Sequence, residues 1–169
     1  ELARYDASYE DLASKFFEHF VAIVDAMNTL GGSGLWDEQD GFYYDQLRLD
    51  GRPEPLRLRS IAGLVPLFAC EILDDATIAA LPGFRKRLEW FLRNRADLAR
   101  HTAYVEPAGN AHGRRLLAVP SRERLERVLR YVLDEREFLA PYGVRSLSRV
   151  YEATPYVFRD VVYMLVVIV

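Results

Sequence analysis

Ser8-Tyr9-Glu10-Asp11-Leu12-Ala13-Ser14-Lys15-Phe16-Phe17-Glu18-His19-Phe20-Val21-Ala22-Ile23-Val24-Asp25-Ala26-Met27-Asn28 sets the expectation for the fold. Leu12, Phe16, Phe20, Ile23, Val24 and Met27 recur at helical spacing, which makes them the expected core face. Ser8, three residues before Asp11, suits a cap, and Gly31-Gly32-Ser33-Gly34 suits a stop, so a helix is expected over roughly residues 9–28. Working outward, Ile61 to Leu73 is almost wholly apolar and holds Pro66, which predicts a short buried helix starting near Val65. Pro82 to Asn94 sets Phe84, Leu88 and Phe91 or Leu92 against Arg85, Lys86, Arg87 and Arg93, an amphipathic surface helix, with Asp75 capping a short turn before it. Ser121 precedes a fourth helix carrying Leu125, Val128, Leu129 and Val132, with Glu123 early and Arg130 late, as the helix dipole favours. Between the first two helices, Asp40-Gly41 and Asp50-Gly51 are turn dipeptides, and Phe42, Tyr44, Leu47 and Leu49 read as a short hairpin arm. The expectation is an all-α plan with minor β.

The 169 residues are 50% hydrophobic and 28% charged, which excludes disorder and low-complexity readings. No linker or repeat divides the chain, so residues 1–169 read as one unit. Twenty-two Lys+Arg against 25 Asp+Glu give a net charge of −3 and no field for nucleic acid. No stretch reaches the ~20 apolar residues of a membrane span. Cys70, alone in the chain, reads as a small buried hydrophobe in a reducing, cytoplasmic compartment. The opening Glu1 reads as a start within a longer protein. The apolar run Asp160 to Val169 reads as a buried strand, a fragment end or a misread terminus.

Trp36 to Asp45 concentrates a Trp, three further aromatics and several carboxylates, the residue types with which proteins stack on a sugar ring and accept its hydroxyls. The competing reading makes Trp36 and Tyr44 core plugs, with Asp37 and Asp40 holding turns. A calcium loop fails, because Gly41 in the sixth position would put Trp36 where the first Asp ligand belongs. His19, His101 and His112 have no second ligand at metal spacing, and the loop from Pro107 to Arg115 lacks the glycine pattern of a phosphate loop. No Gly-x-Ser-x-Gly elbow is present, so nucleophilic hydrolysis has no candidate.

Leu35-Trp36-Asp37-Glu38-Gln39-Asp40-Gly41-Phe42-Tyr43-Tyr44-Asp45, then Arg57-Leu58-Arg59-Ser60-Ile61-Ala62-Gly63-Leu64-Val65-Pro66-Leu67-Phe68-Ala69, then Leu133-Asp134-Glu135-Arg136-Glu137-Phe138-Leu139-Ala140-Pro141-Tyr142-Gly143-Val144-Arg145-Ser146-Leu147-Ser148 resemble bacterial proteins of glycoside hydrolase family 63. The resemblance runs from about residue 5 to about residue 158, with the blocks in the family's order. It implies part of an (α/α)6 toroid with long loops and a short β arm, belonging to an inverting hydrolase of α-glucosides or related α-linked sugars. Inversion sets an acid and a base ~6.5–9.5 Å apart around a water. In the order of the family's motifs the acid lies upstream of this chain and the base downstream, so the resemblance implies no catalytic residue here, and Asp37, Asp40 and Asp45 belong to a connecting loop.

The same resemblance puts Trp36, Tyr44 and Asp45 on the pocket side, with Arg59 and Ser60 orienting them. The expected partners are a carbohydrate and the remainder of a parent chain, with no nucleic acid, membrane, metal or cofactor. A partial ring should expose apolar edges. After Tyr156-Val157-Phe158 the family pattern is polar and glycine-rich, so Asp160 to Val169 departs from it. The alternative is a non-catalytic helical interaction module, its arginine-rich face from Arg85 to Arg93 meeting an acidic partner.

Overall fold

A computed structural model describes residues 2–6, 8–28, 34–94 and 114–164. The expected glycine stop at residues 31–33, His101, His112, residues 107–113 and residues 165–169 lie outside them. Its elements gather into two compact units, Glu1–Gly34 with Ala69–Ser121 and Leu35–Phe68 with Arg122–Val169. The all-α toroid is overturned, because the described residues are 47% helical and 25% strand, and the strands among them pair as five small antiparallel sheets of two.

In the first unit, α1 (Ser8–Asn28) and α3 (Pro82–Asn94) form as their periodicity predicts. The buried face of α1 differs from the expected one: Ser14, Phe17, Val24 and Asn28 are inside, whereas Leu12, Phe16 and Ile23 stay exposed. Phe17 decides this, because its ring meets Phe84 edge-on at 5.6 Å and Phe91 at 5.5 Å. Such edge contacts add to burial. Glu10 reaches from α1 to the start of α3, where Oε1 accepts the amides of Gly83 (2.7 Å) and Phe84 (3.1 Å), two of the orphan donors of a helix start. Asn28 Nδ2 ties the other end of α1 to the Val119 carbonyl at 3.0 Å.

The run Ile61 to Leu73 is not a buried helix. Ile61–Leu67 is a 3-10 helix with Pro66 inside it, and Cys70–Asp74 is a strand, β5, paired with β6 (Arg114–Ala118). Cys70 opens that strand and is exposed, which corrects the buried-thiol reading. Asp74, not Asp75, caps α2 (Asp75–Ala80), with its side chain accepting the Thr77 amide at 2.7 Å.

The second unit is built from hairpins around α4 (Arg122–Val132). β1 (Trp36–Asp37) pairs with β2 (Phe42–Tyr43), and β3 (Asp45–Leu49) with β4 (Arg52–Leu56). Asp50 and Gly51 both have positive φ, 51° and 78°, the turn whose twist matches a two-residue hairpin. Leu49 and Arg52 close that turn, so Pro53 and Pro55 fall at the alternate, non-hydrogen-bonded places where a missing N–H costs no ladder bond. β7 (Leu139–Ala140) pairs with β8 (Gly143–Val144), a short α5 covers Val150–Ala153, and β9 (Tyr156–Phe158) pairs with β10 (Val161–Tyr163). Val161 and Val162 are thus in a strand, but an exposed one. The core holds Phe42, Tyr43, Tyr44, Leu64, Val128 and Phe138, with Phe42 stacked on Phe138 at 5.9 Å. A Cβ on Gly63 would sit 2.8 Å from Phe42 Cζ and closer still to the Tyr43 carbonyl, so only glycine fits there.

Candidate functional site

The aromatic and acidic block folds into the β1–β2 hairpin. Asp37 Oδ1 accepts the Asp40 amide at 2.8 Å, the usual turn chemistry of Asp, and Gly41 supplies the left-handed residue with φ of 70°. Arg127 clasps the turn, with Nη1 on Glu38 Oε1 at 2.7 Å and Nη2 on the Glu38 carbonyl. Its guanidinium lies where a Cβ on Gly41 would stand.

Trp36 is half-buried, and its Nε1 donates to Glu38 Oε2 at 2.6 Å. The ring carries Arg124 at 4.8 Å and Arg127 at 5.3 Å, and meets Tyr43 edge-on at 4.9 Å. Cation–π contacts run from ~0.5 kcal/mol at exposed sites to ~2 kcal/mol where desolvated, and Arg124, nearly enclosed, is at the upper end. The Trp36 hydrogen bond, with the Arg127 and Arg124 charges, holds the Glu38 carboxyl below the usual glutamate range. Burial pushes the Tyr43 phenol up to about 12, against the pull of Arg124.

Tyr44 is buried, and its hydroxyl donates to Asp40 Oδ2 at 2.7 Å. Burial first, and then this bond, push its phenol far above the usual tyrosine range, so it is a fixed neutral donor. Asp45 is exposed at the start of β3. Arg57 Nη2 binds Asp37 Oδ2 and lies 3.8 Å from Asp40 Oδ2. One guanidinium nitrogen thus faces an oxygen of each carboxylate. Their geometry is that of a guanidinium clamp.

Arg59 and Ser60 lie deeper. Residues 59–61 run beside 146–148: Ser148 N donates to the Arg59 carbonyl at 2.9 Å, Ser60 bridges Leu147, and Ile61 N donates to the Ser146 carbonyl at 2.8 Å. Arg59 Nε reaches Glu137 Oε2 at 3.1 Å, its guanidinium lies 5.3 Å from the centre of the Tyr131 ring, and buried Ser148 donates its hydroxyl to the same Glu137 oxygen. Ser60 stands at the N-cap of the 3-10 helix with no side-chain cap bond. The structure therefore brings Trp36 and Tyr44 into one hairpin with Arg57, Arg124 and Arg127, sets Arg59 and Ser60 along the 146–148 segment, and leaves Asp45 outside both groups.

Sequence reading passed over Arg124, Arg127, Glu137 and Ser148. Arg124 was the findable one: it falls on the apolar side of α4 beside Val128, where a charge needs a partner. On the arginine-rich face of α3, Arg85 and Arg93 approach Glu89 at 3.7 and 3.6 Å, and Arg87 pairs with Glu18 and, at 3.3 Å, with Asp11. His19 is exposed on α1. Among the described residues no cluster of His, Cys, Asp and Glu could hold a metal ion, and no helix is long and apolar enough to cross a membrane.

No family model matches the chain, and no solved structure matches it. Over 170 residues, covering 92% of this chain, it is 41% identical to a protein of Saccharomyces cerevisiae named Uncharacterized protein YMR196W. The chain spans 16% of that protein's length. The yeast name assigns no activity.

Proposed function

We propose that this chain is a segment of an inverting glycoside hydrolase acting on α-glucosides or related α-linked sugars, with the acid and base supplied by other parts of a longer protein. The observation that carries the reading is the β1–β2 hairpin, which has the composition of a sugar-binding element and holds its groups by hydrogen bonds and ion pairs at a partly exposed surface. In this reading Trp36 meets the sugar from the hairpin and Asp45 from the exposed start of β3, Asp37 and Asp40 offer acceptor lone pairs beside Arg57, and Tyr44, Arg59 and Ser60 hold these groups in place. A rim of fixed carboxylates and guanidinium groups recognises hydroxyls without reorganising, which is how a site gains specificity for a polar ligand. The three blocks that resemble family 63 support the substrate class, and the engagement of Asp37 by Arg57 and of Asp40 by Tyr44 supports the assignment of catalysis elsewhere. Localisation in the cytoplasm is part of the same proposal.

The test uses the full-length protein that carries this segment, assayed on aryl α-glucosides and α-mannosides with the product anomer followed by NMR. Hydrolysis that first releases the β-anomer, with KM raised at least tenfold by Trp36→Ala, is the expected result. Absence of hydrolysis, first release of the α-anomer, or unchanged kinetics in a folded Trp36→Ala protein would overturn it.

A further inference from the structure

A groove of about 480 Å³ in the second unit, outside the Trp36 hairpin, is lined by Glu135, Leu139, Ala140, Pro141, Arg145 and Arg149. Arg145 differs there from the other partly or fully buried arginines of its unit. Arg59, Arg124 and Arg127 each have a carboxylate within 4 Å: Glu137 for the first, Glu38 for the other two. Arg145 has none among the described residues. Its Nη1 instead bonds three carbonyl oxygens, those of Glu135 at 3.1 Å, Glu137 at 3.5 Å and, closest, Leu139. Carbonyl dipoles hold the group in place but do not cancel its charge. Nε and Nη2 carry no hydrogen bond among the described residues, so the fork keeps donors for a planar anion. Arg149 adds a second cation, itself paired with Glu152 at 3.1 Å, and the acidic side chain lining the groove is the exposed Glu135. Leu139, Ala140 and Pro141 supply an apolar wall, and the neighbouring Tyr142 is fully exposed at the hairpin tip.

We propose that this groove binds an oxyanion, a carboxylate or phosphate borne on a small organic molecule, with Arg145 as the fixed fork and Arg149 as the second cation. The proposal does not depend on the glycosidase reading, and its test does not use hydrolysis. The full-length protein is titrated calorimetrically at low ionic strength with sodium phosphate and, separately, with sodium acetate, against sodium chloride as the control. Saturable binding of one of the two, weakened at least tenfold by Arg145→Gln, is expected, and whichever anion binds more tightly identifies the headgroup. Because Arg145 also clamps the hairpin, two exposed side chains provide the independent readout. Arg149→Gln should weaken binding several-fold, and Glu135→Gln should tighten it about fivefold by removing a like charge. No saturable heat with either anion, or affinities unchanged in both Arg149→Gln and Glu135→Gln, would overturn the site.

Discussion

Both units carry exposed ion pairs, but among the described residues the second also encloses some. In the first, the arginines of α3 pair with acids at the surface, and Arg87, Glu18 and Asp11 each keep about half or more of their side chains in water, at 45%, 54% and 63% exposure. In the second, Arg59 and Glu137 meet with only 22% and 14% exposed, and Arg124 is nearly enclosed. The contrast follows from backbone chemistry. A helix such as α1 satisfies its own amides and carbonyls and asks of its neighbours only apolar contact. Strands of two or three residues satisfy few, so guanidinium groups and carboxylates supply the missing bonds from the side, as Arg127 does for the Glu38 carbonyl and Arg145 for that of Leu139.

The comparison can be broken most severely at Gly63. Gly63→Ala drives a methyl group into backbone and an aromatic ring that cannot both move, and a loss of ~3 kcal/mol in urea unfolding is expected. Arg59→Ala, which leaves the enclosed Glu137 carboxylate with Ser148 but no cation, should cost ~2 kcal/mol, below the figure for a fully buried pair because both partners keep some water. A result near zero would mean the second unit treats its ion pairs as the first does. Glu10→Ala removes the acceptor for two amides of α3 and should cost ~1 kcal/mol, seen as faster hydrogen exchange at Gly83 and Phe84. Glu38→Gln is the mildest, at ~0.5 kcal/mol near neutral pH for a largely exposed carboxylate. Since the folded Glu38 pKa is lowered, its contribution is full above the unfolded value and disappears as pH falls through the folded one. Melting curves of wild type and Glu38→Gln should therefore converge in acid, and a gap that persists at pH 2 would contradict this assignment.

These differences also decide what could be read from the sequence. α3 was legible to its ends because Phe84, Leu88 and Phe91 announce a face within one segment, and the Asp50-Gly51 turn was legible because two adjacent residues determine it. The β5 strand was not, because its partner β6 lies about 40 residues away and an apolar run has no periodicity to separate strand from helix. Leu12, Phe16 and Ile23 read as core in the sequence and are exposed in the structure for a related reason: α1 is apolar on more than one side, and Phe84 and Phe91 select which side is covered. At the candidate site, the composition of residues 36–45 pointed to the hairpin and its turn. The arginines that lock it come from α4 and could be inferred only as an unexplained charge on a buried face.

Each unit is assembled from two separated stretches of chain, and this sets a schedule for synthesis. A nascent polypeptide emerging at ~5–20 residues per second would hold Cys70–Asp74 unpaired for ~2–8 s before Arg114–Ala118 arrives. Phe42 would wait longer still for Phe138. During that interval Leu73 and the core residues it packs against are open to chaperones, and the order in which the ribosome delivers β6 and then the Phe138 segment fixes which unit closes first.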